Sequence, residues 1–143
     1  MSHPIAVRGF DHIVLRIRDK TRILDFYQRV LGLSIDRDRP ELGLTHIRAG
    51  DQMIDLVTLD GPLGRKGGQG PGPEGRNLDH LALQVRPFDV AAIRAHLAGL
   101  AVEIVEEGER YGADGDGYSI YIRDPEGNTI ELKGPGDLKG PGA

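Results

Sequence analysis

Between Phe10 and Arg18 the chain alternates, with Ile13, Leu15 and Ile17 on one face and His12, Val14 and Arg16 on the other. That period of two predicts a half-buried strand whose apolar face packs on a helix and whose opposite, more polar face carries His12. Asp19 is placed as an N-cap, and Ile23, Phe26, Tyr27, Val30 and Leu31 recur at helical spacing until Gly32, which ends the helix. Leu33–Asp38, Thr45–Arg48 and Met53–Leu59 read as three short strands, punctuated by Pro40, Gly43 and Gly50-Asp51. The pattern then begins again. Leu81, Leu83 and Val85 form one side of a strand, with His80, Ala82 and Gln84 on the other. Pro87–Gly99 is expected as a helix with Val90, Ile93 and Leu97 inward. Val102–Glu106, Tyr118–Arg123 and Thr129–Lys133 are expected as strands, the last two joined by a turn over Asp124–Asn128 in which Pro125 presets the bend.

The recurrence reaches individual residues. Asp11-His12-Ile13-Val14-Leu15-Arg16-Ile17-Arg18 and Asp79-His80-Leu81-Ala82-Leu83-Gln84-Val85-Arg86 share one pattern at an offset of 80 − 12 = 68. Val30-Leu31-Gly32-Leu33 answers Leu97-Ala98-Gly99-Leu100, and Gly50–Leu56 answers Gly127–Leu132. A repeat of this length predicts a duplicated unit, and hence an α+β chain of two paired βαβββ modules. The boundaries fall at about 9–59 for module one and about 78–134 for module two, with a linker at 60–77 and a loosely held tail at 135–143. The linker holds seven glycines and three prolines, too little apolar surface to offset its ordering. No Gly-Lys-Ser/Thr follows and no helix opens on it, so it is a connector or flap and not a phosphate loop.

At 143 residues the chain suits one domain in which both modules share a core. It has no cysteine, which removes disulfides, thiolate metal sites and a cysteine nucleophile. A formal charge of −4 without a basic cluster gives no footprint for nucleic acid. No apolar run reaches membrane-spanning length and no basic-then-apolar leader opens the chain, so a cytoplasmic protein without a membrane partner is expected.

Strand alternation places His12, His80, Asp55 and Glu131 opposite the apolar faces, the histidines at matching places in the two modules and the acids on the last strand of each. If the sheets pair, two imidazoles and two carboxylates meet in one cleft, a donor set for a divalent transition metal. A single strand histidine is more often a hydrogen-bonded surface residue, and a carboxylate near a strand end is usually solvated; the repetition favours the metal. Tyr121, with Ser119 and Arg123, alternates against Ile120 and Ile122, which makes it either a cleft residue or wall packing. His46 has no histidine counterpart in module two and reads as either a further ligand or a pocket residue, and His96 falls at a helix margin. Tyr111–Gly117 is superficially like a calcium loop but lacks the terminal Glu and the flanking helices, so it is expected to be a mobile loop.

Strand, helix and three strands, twice over, with Asp-His opening each module, Phe26-Tyr27…Leu31-Gly32-Leu33 and Ile122–Leu132, resemble the vicinal oxygen chelate superfamily of glyoxalases, epimerases, extradiol dioxygenases, fosfomycin-modifying enzymes and bleomycin-binding proteins. The resemblance covers about residues 9–134 and looks closest to short glyoxalase I-like members. It implies a cupped mixed β-sheet with helices outside, and a divalent ion (Zn, Ni, Co, Mn or Fe(II)) held by His12, His80 and Glu131. Asp55 stands where such proteins place Glu or Gln; being one methylene shorter, it leaves the fourth ligand open. The implied activity is a glyoxalase-type lyase or isomerase acting on a small oxygenated substrate through a metal-stabilised enediolate. Glu131 or Asp55 would shuttle the proton, and Tyr121, His46 and Arg123 would contact the substrate. A homodimer is implied as well. The alternatives are a non-haem Fe(II) extradiol dioxygenase or a thiol transferase using the His/His/Glu set, and a metal-free antibiotic-binding protein. The last needs aromatic stacking surfaces, and a chain with no Trp, three Phe and four Tyr offers few.

Overall fold

Strand β1 (His12–Ile17) buries Leu15 and Ile17 and exposes His12 and Val14, the two faces its alternation predicts. The computed structural model describes residues 3–136; the expected tail beyond 136 and the first two residues lie outside them. After β1 come α1 (Lys20–Arg29), β2 (Ser34–Arg39), β3 (Leu44–Ala49), β4 (Gln52–Thr58), β5 (Leu81–Gln84), α2 (Val90–Gly99), β6 (Glu106–Gly112), β7 (Gly115–Arg123) and β8 (Thr129–Lys133). They form an α+β structure with two four-stranded mixed sheets and two helices, strand–helix–three strands in each repeat. No helix among the described residues is long and apolar enough to cross a membrane.

The chain divides into two compact units. One takes the chain up to Lys20 together with Leu33–Gly70, and the other takes Thr21–Gly32 together with the chain from Pro71 onward.

In the first unit the sheet order is β1-β4-β3-β2, with β1 parallel to β4 and the other neighbours antiparallel. Register aligns Ile13, Ile54, Ile47 and Ile35 on one face, and Leu15, Leu56 and Thr45 beside them. Leu15, Ile47, Ile54, Leu56 and Thr45 are buried. The opposite face carries the row Val14–Asp55–His46–Arg37. A bulge between Ile35 and Arg37 absorbs one residue and restores the alternation. Part of the Gly-rich stretch belongs to this unit and is more ordered than a bare connector. It makes a 3₁₀ turn, Gly64–Gly67, and the Arg16 guanidinium donates to the carbonyls of Gly64, Gly68 and Gln69. A β-carbon on Gly67 would run into that guanidinium, which explains why a glycine sits there.

In the second unit the order is β5-β8-β7-β6, with β5 parallel to β8 and the rest antiparallel. It is the same wiring as the first sheet. Leu81, Ile130 and Ile122 form one buried row, and Leu132 and Ile120 are buried in the next. Helix α1 belongs here beyond its first residue, although it is encoded in the first repeat. Its Ile23, Phe26 and Tyr27 are buried, and the Tyr27 hydroxyl donates to Asp124 Oδ2 at 2.9 Å. Asp124 organises the turn the sequence predicts: its Oδ1 accepts from the amides of Glu126 and Asn128, its Oδ2 from Asn128 Nδ2, and Gly127 takes φ 84°. Burial, and then the Asp124 charge, push the Tyr27 phenol well above its ordinary pKa.

Two elements differ from the sequence expectation. Helix α2 begins at Val90, not Pro87, because the Asp89 side chain caps it by accepting from the Ala92 amide at 3.0 Å. The strand expected at Val102–Glu106 lies at Glu106–Gly112, and Tyr111–Gly117, expected as a mobile loop, is the β6–β7 hairpin.

Candidate active site

Each sheet builds the same small constellation on the face away from its buried rows. His12 pairs in register with Met53, which puts Asp55 diagonally across the parallel β1/β4 ladder. His80 immediately precedes β5, where Leu81 pairs with Ile130, so Glu131 stands in the same diagonal relation on β8. The two acids are 4% and 5% exposed, carboxylates that strand alternation turns to the site side and that their neighbours cover. Burial without partners would be costly, and both have partners.

In the first unit His12 Nδ1 donates to Asp11 Oδ1 at 2.6 Å, and its Nε2 lies 3.8 Å from Asp55 Oδ2. His46, opposite Asp55 on β3, donates from Nδ1 to Asp55 Oδ1 at 2.8 Å. The Asp11 hydrogen bond, then the Asp55 charge, hold the His12 imidazole above its ordinary pKa against the opposing effect of burial.

In the second unit His80 Nδ1 donates to Asp79 Oδ2 at 2.7 Å, and its Nε2 lies 3.2 Å from Glu131 Oε1. The Tyr121 hydroxyl donates to Glu131 Oε1 at 2.8 Å, and Ser119 Oγ donates to Oε2 at 2.7 Å. Burial, then the hydrogen bond to Glu131, raise the Tyr121 phenol. The Tyr121 ring meets His80 edge-on at 5.6 Å between centroids. A cleft of about 420 Å³ opens here, lined by Asp79, His80, Val105, Glu106, Tyr121, Arg123 and Thr129.

The structure therefore brings His12, His46 and Asp55 together on one sheet. On the other it brings together His80, Tyr121 and Glu131, with Arg123 beside them in the cleft. Sequence reasoning gave no role to Asp11, Asp79 or Ser119. The repeated Asp-His dipeptide was the available signal for the first two: a carboxylate bonded to Nδ1 fixes the ring and leaves Nε2 as the nitrogen available to a ligand. Ser119 carried no such signal. His96, outside the site, has its Nε2 2.9 Å from the Val30 carbonyl oxygen.

The donor chemistry fits a divalent ion, with imidazole nitrogens backed by carboxylates and each facing a carboxylate oxygen. Each sheet supplies one such His–acid pair, and among the described residues no group of three or more His, Asp or Glu is gathered to hold a metal.

Residues 9–132 match the model of the Glyoxalase/Bleomycin resistance protein/Dioxygenase superfamily. The chain is 32% identical over 146 residues to glyoxalase domain-containing protein RDO1 of Mycosarcoma maydis, covering 94% of this chain and 73% of that one. It is 31% identical over 134 residues to virulence protein STM3117 of Salmonella typhimurium, covering 92% and 87%. The crystal structure of STM3117 aligns with a TM-score of 0.71 at 27% identity, over 92% of this chain and 99% of that one. The same fold recurs, with a TM-score of 0.67 at 21% identity over 94% of each chain, in a mutant of the fosfomycin resistance protein FosX from Listeria monocytogenes complexed with Mn(II) and 1S,2S-dihydroxypropylphosphonic acid.

Proposed function

Because the chain belongs to the glyoxalase/bleomycin resistance protein/dioxygenase superfamily, we propose that it is a divalent-metal enzyme of the glyoxalase type, a lyase or isomerase of a small oxygenated substrate. One observation carries the reading: each repeat presents a histidine with Nδ1 tied to the preceding aspartate and Nε2 facing a buried carboxylate. In this reading His12, His80, Glu131 and Asp55 are the ligands. The Mn(II) in the FosX complex supports a metal in this fold. When bound, the ion supplies Lewis-acid stabilisation of negative charge developing on a substrate oxygen.

The chain's own residues supply the rest. Glu131 takes a proton from the substrate carbon and returns it, and Ser119 and Tyr121 fix its two oxygens in place. Asp55 is the equivalent carboxylate of the other half-site. Tyr121, Arg123 and His46 contact the substrate, and a homodimer is the working assembly. The test is turnover of thiol hemithioacetals of 2-oxoaldehydes, and of acyl-CoA thioesters epimerisable beside the carbonyl, after chelation and after restoring each metal in turn. The expected result is metal-dependent turnover that Glu131→Gln lowers by about 10²–10⁴-fold. No metal-dependent turnover on any of these would overturn the reading.

The Asp55 hydrogen bond to His46 favours a second reading. With that oxygen engaged, His12, His80 and Glu131 remain as a two-histidine, one-carboxylate set suited to non-haem Fe(II) and ring cleavage of catechols. Oxygen uptake with catechol by the Fe(II)-loaded protein distinguishes it from the first.

A further inference from the structure

The cleft beside His80 holds one positive charge that the protein leaves unspent. Of the two carboxylates lining it, Asp79 accepts from His80 Nδ1 at 2.7 Å and Glu106 pairs with Arg110 at 3.1 Å. Arg123 lines the same cleft, and its side chain makes no ion pair or hydrogen bond among the described residues. It pairs across the ladder with Thr129, also in the lining, and stands two residues from Tyr121 on the same face. His80 lies level with Thr129 on the far side of β8, because the next residue, Leu81, pairs with Ile130. His80, Thr129 and Arg123 thus form one row across three neighbouring strands. With strands about 4.8 Å apart, the outer two backbones are separated by roughly 10 Å.

We propose that Arg123 is the specificity-determining residue of this cleft, holding the distal carboxylate of a small acid whose adjacent oxygens sit at the His80 end. A guanidinium presents two parallel N–H donors that match a carboxylate. Arg123 is itself exposed, so discrimination against a neutral group of the same shape comes from the charge and the two-pronged geometry of that pairing, not from burial. The separation along the row suits a four- or five-carbon chain with vicinal oxygens at one end and a carboxylate at the other. The inference rests on the reading that this cleft is the substrate site.

The probes are 2-hydroxyglutarate and its γ-monoamide, which share shape and vicinal oxygens and differ only in the distal charge. Calorimetric titration of both into wild type, Arg123→Gln and Arg123→Lys, with and without Mn(II), reads the preference. Free Mn(II) followed by electron paramagnetic resonance reads metal binding separately. Wild type should bind the dicarboxylate at least about tenfold more tightly than the amide. The ratio should fall to about one in Arg123→Gln and recover in part in Arg123→Lys, with melting temperature and Mn(II) affinity unchanged. A wild type that binds neither probe or shows no preference, or a preference that survives Arg123→Gln, overturns the proposal. Mn(II) binding without the preference sinks this inference alone. An Arg123-dependent preference without Mn(II) binding sinks the metal-enzyme reading and leaves this one standing.

Discussion

Glu131 is the buried charge at the centre of the His80–Tyr121–Ser119 cluster, and its two oxygens are served unequally. Oε1 receives the Tyr121 hydroxyl at 2.8 Å and has His80 Nε2 at 3.2 Å, whereas Oε2 receives only Ser119 Oγ at 2.7 Å. Ser119 is 0% exposed and Glu131 5%, so solvent is poorly placed to replace a lost donor. A hydrogen bond to a charged group contributes about 1.5–3 kcal/mol. Ser119→Ala leaves Oε2 bare and belongs at the top of that range, about 3 kcal/mol. Tyr121 lines the open cleft, where water can partly replace its hydroxyl at Oε1, and Tyr121→Phe belongs at the bottom, about 1.5 kcal/mol. Because both act on one carboxylate, the double variant should depart from additivity by at least about 0.5 kcal/mol. Equilibrium urea unfolding of the metal-free protein measures all three. The same substitutions release the carboxylate from its fixed orientation, so Mn(II) affinity should fall about 10–100-fold in each. Ser119→Ala within about 0.5 kcal/mol of wild type, or less damaging than Tyr121→Phe, would refute the idea that these hydroxyls hold Glu131 in place.

Tyr27→Phe removes one of the four donors that reach the Asp124 carboxylate among the described residues and should cost about 1.5 kcal/mol in urea unfolding, with Mn(II) binding unchanged. Asp38 is held below the ordinary carboxylate range by hydrogen bonds from Lys20 first and Thr45 second. A lowered folded-state pKa gives stability that is present above the unfolded value, about 3.9, and lost as pH falls through the folded one. The advantage of wild type over Asp38→Asn should therefore be constant between about pH 5 and 7 and shrink below about pH 4, as read from the urea midpoint at each pH. Arg16→Ala frees the carbonyls of Gly64, Gly68 and Gln69 and should speed amide exchange across 64–70 while leaving β4 protected; unchanged exchange there would show that the loop holds itself.

The alternation of β1 and β5 and the helical spacing of α1 were legible because each sorts apolar from polar residues at a fixed period, and the internal repeat doubled the strand signal; the Asp124 turn was legible from its Pro125, Gly127 and Asn128. Strand β6 was not. Glu106, Glu107, Glu109 and Arg110 show no apolar face, because an edge strand in a hairpin is held largely by its backbone ladder to β7, which side-chain pattern does not record. The Gly-rich stretch looked featureless because what orders part of it is Arg16, almost fifty residues earlier at Gly64. Within the site, the placing of His12, Asp55, His80 and Glu131 on the faces opposite the apolar rows followed from strand alternation; which acid faces which histidine depends on the parallel pairing of β1 with β4 and β5 with β8. The assignment of α1 to the unit of the second sheet did not, since the Tyr27–Asp124 bond spans 97 residues and neither residue is unusual locally. Nor did the engagement of Asp55 by His46, which depends on the pairing of β3 with β4.

Mn(II) stoichiometry of the purified protein, measured with His12→Ala and His80→Ala alongside wild type, bears most directly on the proposal that His12 and His80 hold one ion. One ion per chain in wild type, and loss of that ion in either variant alone, is the expected result. Retention of the full ion in either single variant, with both variants folded, would mean that the two half-sites act separately and that the repeat does not build one metal centre.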